Sequence, residues 1–230
     1  MYFDITYLVL VLPAVIFALW AQMNVKSTFS KYTKVATSRG LTGADAARRI
    51  LDANGLSNVR IARVSGDLTD HFNPKDNTVY LSDTVHSVSS AAAVGVAAHE
   101  AGHAVQHAVG YTPMKWRAAI IPITNIGSNL AVPLVLLGIL LSFPTVAYIG
   151  VIAFGLSTLF QLVTLPVEFN ASNRAMEALT SSGTIAGDEL KIARKVLTAA
   201  ALTYVAALAV SLANLLRLFL LVRGNSNRRR

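Results

Sequence analysis

Cysteine is absent from this chain, which excludes disulfides and thiolate metal sites. Any bound metal must be held by His, Asp or Glu. The choice is short, because the chain has five histidines and four glutamates. Charge is also scarce, at 14% of residues against 53% hydrophobic. That balance is unusual for a soluble domain and ordinary for a chain with membrane spans. The opening "MYFD" has no basic residue, and no small-residue cleavage site follows the first apolar run. The run therefore reads as an uncleaved anchor and not as a signal peptide. The net charge is +8, but the basic residues are not interleaved with aromatics as in nucleic-acid surfaces. They flank apolar runs, as charges at a membrane surface do. No nucleic-acid partner is expected.

Four segments follow from hydropathy and charge. Residues 1–23 form the membrane anchor, in which Asp4 to Met23 is about long enough to span a bilayer. Residues 24–117 form the one long soluble stretch, a small α+β unit. Residues 118–167 read as a two-helix membrane hairpin, with Pro122 and Pro133 expected to kink its first helix. Residues 168–230 form a helical region that starts polar, about Glu168–Lys195, and ends in the apolar run Thr198–Val222. The fold class expected is mainly α, polytopic, with three to four apolar helices and a small α+β zincin-like unit. The cluster Lys26, Lys31, Lys34, Arg39, Arg48, Arg49, Arg60 and Arg63 places the soluble unit on the cytoplasmic side. The tail works against that rule: if Thr198–Val222 spans, Arg223, Arg228, Arg229 and Arg230 lie outside, and Arg217 falls within the run. Three spans and four both remain open.

Inside the soluble unit, "LTGADAARRILDANG" reads as an amphipathic helix with Thr42 as N-cap and Gly55 as its stop. "NVRIARVSG" reads as a strand, "DHFNPKDNTVYLSD" as a turn-rich loop leading to a second strand at about Thr78–Ser82. A helix from about Ser89 to Ala108 follows. The strand Thr78–Ser82, just before this helix, is a candidate for pairing with an extended substrate.

The helix carries "AAHEAGHAVQH". Val94, Ala97, Ala98, Ala101, Ala104, Val105 and Ala108 make it apolar almost all round, the pattern of a buried helix. Unpaired imidazoles and a carboxylate are costly in such a place. His99, Glu100 and His103 form H-E-x-x-H, which arises by chance in about two of a thousand chains of this composition. Residues four apart share one helix face, so both imidazoles can reach one zinc ion. Glu100 stands beside them as general base and then acid: it takes the proton of an attacking water and gives it to the leaving amine.

For a third ligand, His107 lies eight residues and about 12 Å of rise from His99, too far in an unbroken helix. The metzincin pattern is excluded by Gln106 and Val109. Among the other glutamates, Glu168 stands at the end of an apolar run, where a carboxylate is a functional suspect or an ordinary helix-start charge. Glu177 and Glu189 read as exposed helix-face charges. Arg174 could polarise a carbonyl, and Tyr204 could offer a hydroxyl. Asn125, Ser128 and Asn129 are candidates for holding membrane helices together. His71 and His86 read as loop histidines.

The chain resembles the YugP-type membrane zinc metallopeptidases. The strings that carry the resemblance are "AQMNVKSTFSKY", "LTDHFNPKDNTVYLSDTVHSVSSAAAVGVAAHEAGHAVQH", "VEFNASNRA" and "AAALTYVAA", and it covers nearly the whole length. The pattern is also similar to the HtpX and CAAX-prenyl-protease group, in which H-E-x-x-H is followed by membrane helices and E-x-x-A-D. The resemblance implies that Glu168 is the third zinc ligand beside His99 and His103. It implies one zinc ion per chain and a zinc-dependent endopeptidase in a bacterial plasma membrane. One departure stands out: Ser172 occupies the Asp position of E-x-x-A-D, where the group's Asp supports a ligand histidine. Ser172, Asn170 and Asn173 are the candidates for that role here. The partners expected are a peptide or membrane-protein substrate and the lipid bilayer, with a homo-oligomer left open. The competing reading is a catalytically inactive zinc-binding membrane scaffold, against which the presence of Glu100 argues. A transporter is disfavoured, since the acids cluster at one membrane edge.

Overall fold

The computed structural model describes residues 5–227, with side chains to residue 225. Asp4 of the expected anchor and the tail residues Arg228, Arg229 and Arg230 lie outside the described residues. A π-helical turn, Tyr7–Val11, leads into α1 (Leu12–Tyr32). The chain continues through α2 (Gly43–Ala53), β1 (Arg60–Val64), β2 (His71–Asn73), β3 (Thr78–Ser82), α3 (Asp83–His86) and α4 (Ala91–Ala108). Three long helices follow: α5 (Thr112–Leu140), α6 (Pro144–Ser181) and α7 (Asp188–Asn227). Among the described residues four helices are, by length and composition, able to cross a membrane, the upper of the two numbers expected from the sequence.

Contacts divide the chain into two compact units. One gathers residues 22–114 and 167–202. Its sheet has the order β1-β3-β2, with β1 parallel and β2 antiparallel to β3. The strand Thr78–Ser82, considered above for substrate pairing, is therefore the central strand and has no free edge. The short β2 was hidden in the stretch expected to be loop, because three residues between turns carry almost no periodicity. The amphipathic helix is α2, and its start is a capping box: Thr42 Oγ1 accepts from the Asp45 N–H while the Asp45 carboxylate accepts from the Thr42 N–H. Its apolar face (Ala46, Ala47, Ile50, Leu51) packs with Val79 and Leu81 of the sheet and with Val94, Ala97, Ala98 and Ala101 of α4 in one core. Ala175, Met176 and Leu179 of α6 and Ala193, Val196 and Leu197 of α7 complete it.

The other unit gathers, among the described residues, 5–21, 115–166 and 203–227. Its large apolar residues point outward: Ile126 is 64% exposed, Leu140 76% and Ile152 69%. Surfaces of this kind are covered by lipid in a membrane protein. Pro122 and Pro133 stay within a single α5, so neither ends the helix. Inside the unit, helices approach through small residues, as membrane helices do. A Cβ on Gly127 would come 2.9 Å from the Ala153 carbonyl oxygen, and one on Gly150 would come 2.7 Å from that of Ala131. Hydroxyl pairs add polar contacts, with Ser128 and Ser157 3.0 Å apart and Thr158 and Ser211 2.8 Å apart.

One element boundary differs from the sequence reading. The polar stretch starting at Glu168 does not begin a new element, since α6 runs unbroken through Pro166 and Glu168 to Ser181. Nothing in "EFNASNRAMEALTS" breaks a helix, and the change in polarity marks a change of surroundings only. Arg217, which complicated the last span, lies over the Tyr7 ring at 5.3 Å. This cation–π contact eases the cost of a guanidinium within an apolar run.

Candidate metal centre

α4 begins where the Ser90 hydroxyl accepts from the Ala93 N–H at 3.1 Å, an ordinary N-cap. Alanine and glycine dominate the faces that meet other helices. A Cβ on Gly102 would lie 2.8 Å from the Ala171 carbonyl oxygen, and one on Gly95 would lie 3.1 Å from Ala193. At position 102 only glycine permits this approach of α4 to α6, which draws the polar residues of the two helices together.

His99 and His103, one turn apart, stand edge to face with ring centroids 4.7 Å apart. Their Nε2 atoms converge on one oxygen: Glu168 Oε2 lies 3.3 Å from His99 and 3.5 Å from His103. The ligand-capable atoms of His99, Glu100 and His103 lie within 4.8 Å of one another. Glu100, His103 and Glu168 are all buried, and 13% of the His99 side chain is exposed.

Each imidazole is held from behind. His99 Nδ1 lies 3.1 Å from the Ser172 hydroxyl. His103 Nδ1 lies 2.9 Å from Gln106 Oε1. The Gln106 amide nitrogen donates to the Val167 carbonyl at 2.8 Å and to Asn170 Oδ1 at 3.0 Å, and Arg174 Nε donates to the same Asn170 oxygen at 2.8 Å. With its NH2 engaged by two acceptors, Gln106 offers only an oxygen to His103. His103 therefore carries a proton on Nδ1, which leaves Nε2 as the atom it can offer to a metal ion, as metal-ligating imidazoles do.

The donor set fits a tetrahedral dication. Zinc bonds of about 2.0–2.1 Å imply ligand-to-ligand spacings of about 3.3–3.4 Å, and the 3.3 and 3.5 Å separations match that edge. A charge-assisted hydrogen bond would be shorter, about 2.7–2.9 Å. Electrostatics agree. Burial pushes the His103 pKa down, but its contact with Glu168 and the fields of Glu100 and Glu168 outweigh this and raise it. The cluster attracts positive charge.

Of the other residues singled out from sequence, Ser172, Asn170 and Arg174 belong to this network, with Arg174 engaged by Asn170. His107 is exposed on α4, its ring 5.8 Å from that of Phe72 on β2. Tyr204 is on α7 within the other compact unit. Two contributors escaped the sequence reading. Gln106 is fully buried; its position three residues after His103 was a usable signal. Asp70 accepts from the Ser82 N–H at 2.7 Å and the Ser82 hydroxyl at 2.9 Å. Burial raises its pKa against those hydrogen bonds, and repulsion from Glu100 adds to the rise. No local pattern in "LTDHFN" announces this role.

Fold and site together define a polytopic helical protein with a buried His/Glu cluster suited to a metal ion. Residues 7–223 match the family model described as "Putative neutral zinc metallopeptidase", and the chain belongs to this zinc metallopeptidase family. It is 48% identical over 211 residues to the Bacillus subtilis (strain 168) protein called "Putative membrane protease YugP", covering 92% of this chain and 94% of that one. No solved structure matches.

Proposed function

We propose that the protein is a membrane-embedded zinc metalloendopeptidase that hydrolyses peptide bonds at the cytoplasmic face of a bacterial plasma membrane. His99 Nε2, His103 Nε2 and Glu168 Oε2 would hold the zinc. The observation that carries this reading is the convergence of both Nε2 atoms on Glu168 Oε2 at the spacing of a tetrahedral edge. Zinc, when bound, supplies Lewis acidity that polarises a scissile carbonyl and acidifies water to near neutrality. Glu100, adjacent on the same helix, takes the proton of the attacking water and delivers it to the leaving amine nitrogen. Ser172 and Gln106 keep the imidazoles in register. Burial of the cluster limits stray water and strengthens each electrostatic contact.

Substrate binding follows from the sheet. β2 pairs with β3 on one side, and among the described residues no strand pairs with its other edge. The Phe72 ring of β2 lies tilted against that of His107 on α4, so this strand runs beside the helix that carries His99 and His103. An extended peptide joining the β2 edge would be held by backbone hydrogen bonds, with little demand on its sequence. The cytoplasmic assignment rests on the basic residues between Lys26 and Arg63. Membrane proteins and their released segments are the substrates nearest at hand.

Proteolysis of an unfolded reporter by detergent-purified protein tests the reading. Cleavage by wild type, lost on chelation, restored by zinc and absent in Glu100→Gln, is expected. A Glu100→Gln variant that cleaves as wild type does would overturn it.

A further inference from the structure

The C-terminal part of α1 and the N-terminal part of α7 form a groove of about 590 Å³. It is lined by Lys31, Lys191, Arg194 and Lys195 around Tyr32, with no acidic residue in the lining. The ammonium groups of Lys31 and Lys195 lie 5.3 and 5.8 Å from the centre of the Tyr32 ring. Asp188 pairs with Lys191 at 2.8 Å, and its field reaches Lys195. One carboxylate against four cations leaves a surplus of positive charge, which repels itself until an anion arrives.

Hydropathy places the groove at a boundary on both helices. Along α1, the residues before it are apolar and outward-facing: Leu19, Trp20 and Met23 are 59%, 48% and 64% exposed. Lys31 comes eight residues, about 12 Å, after Met23. Along α7, the apolar run follows the groove, with Leu212, Leu216 and Phe219 exposed. Each helix thus changes from a lipid-type surface to a charged one at this level, where phospholipid headgroups lie. Ala199 and Leu202 give the groove an apolar end.

We propose that this groove binds the phosphodiester headgroup of an anionic phospholipid. Lys31, Arg194 and Lys195 hold the phosphate, and Ala199 and Leu202 meet the glycerol and first acyl carbons. The positive surplus disfavours a choline headgroup, whose own cation would have to enter the same field. Basic pockets between membrane helices commonly take anionic lipids in this way. The assignment is independent of zinc and of proteolysis.

The test uses the full-length protein in neutral detergent, titrated with short-chain phosphatidylglycerol, with short-chain phosphatidylcholine and with inorganic phosphate. Retained lipid is counted by native mass spectrometry, and thermal unfolding is followed in parallel. Wild type should retain phosphatidylglycerol and unfold at higher temperature with it. The Lys31→Gln/Arg194→Gln/Lys195→Gln variant should bind it roughly a hundredfold more weakly, about fivefold per cation. An Arg49→Gln/Arg60→Gln/Lys75→Gln variant removes equal charge from other exposed positions and should bind as wild type does. Circular dichroism and zinc content establish that each variant is folded. Equal retention of phosphatidylcholine, or equal weakening in both triple variants, would overturn the proposal. Protection by inorganic phosphate as strong as that by phosphatidylglycerol would overturn the lipid assignment.

Discussion

α4 and α5 are both apolar helices, yet they answer to different surroundings. α4 is buried on nearly every side by protein, from Ala91 to Gln106. α5 turns large aliphatics outward, with Ile123 57% and Leu136 54% exposed. The difference lies in side-chain size. Alanine and glycine on α4 let other backbones come close, as Gly102 does with Ala171. Isoleucine and leucine on α5 present area to lipid. Close approach is what allows α4 to carry its two histidines, because His99 meets Ser172 and Glu168 on α6 and His103 meets Glu168 there and Gln106 within its own turn. A buried polar group without such a partner would be destabilising.

The largest effect that sharpens this contrast is on chemistry. Glu100→Gln should leave the fold and zinc content intact and lower the turnover of an unfolded reporter by about 10²–10⁴-fold, the usual contribution of a general base. Gln106→Leu comes next. It removes the acceptor for His103 Nδ1 and leaves the Val167 carbonyl without that donor. Zinc affinity, measured by competition with a chelator, should fall roughly 10–100-fold. Gly102→Ala tests close approach directly. The added methyl meets the Ala171 backbone, and thermal unfolding should report a loss of about 1–3 kcal/mol. Gly155→Ala on α6, where a Cβ meets nothing within 4 Å, should cause no such loss.

The smallest effect concerns the soluble edge of the molecule. Thr42→Ala removes half of the capping box and should cost about 0.5–2 kcal/mol. The same box carries a pH dependence. The Thr42 side-chain and backbone hydrogen bonds hold the Asp45 carboxyl below its ordinary value. Its contribution is present above the unfolded pKa and is lost as pH falls through the lower folded value. The stability gap between wild type and Asp45→Asn should therefore close in acid.

Much of the site was legible because its strongest signal is local. His99, Glu100 and His103 lie within one helical turn, and their spacing alone puts the imidazoles on one face. Glu168 was legible as a carboxylate at the end of an apolar run. The Thr42 N-cap and the apolar runs of the long helices were readable for the same reason; the reciprocal part played by Asp45 was not read. What was not legible depends on partners far along the chain. Gln106 acquires its meaning from Val167 and Asn170, and Asp70 from Ser82 and Glu100. β3 read as a possible substrate edge because no local feature tells a central strand from an edge strand. The continuity of α6 past Glu168 was obscured because a polarity change resembles a helix end when the surroundings are unknown.

The central claim is that α4 and α6 jointly hold one zinc ion. Zinc content of the purified protein, measured for wild type, Glu100→Gln and Glu168→Gln after dialysis against a weak chelator, tests it most directly. The expected result is about one zinc per chain in wild type and in Glu100→Gln, and loss of zinc in a folded Glu168→Gln. A Glu168→Gln protein that keeps its zinc as firmly as wild type would contradict the claim.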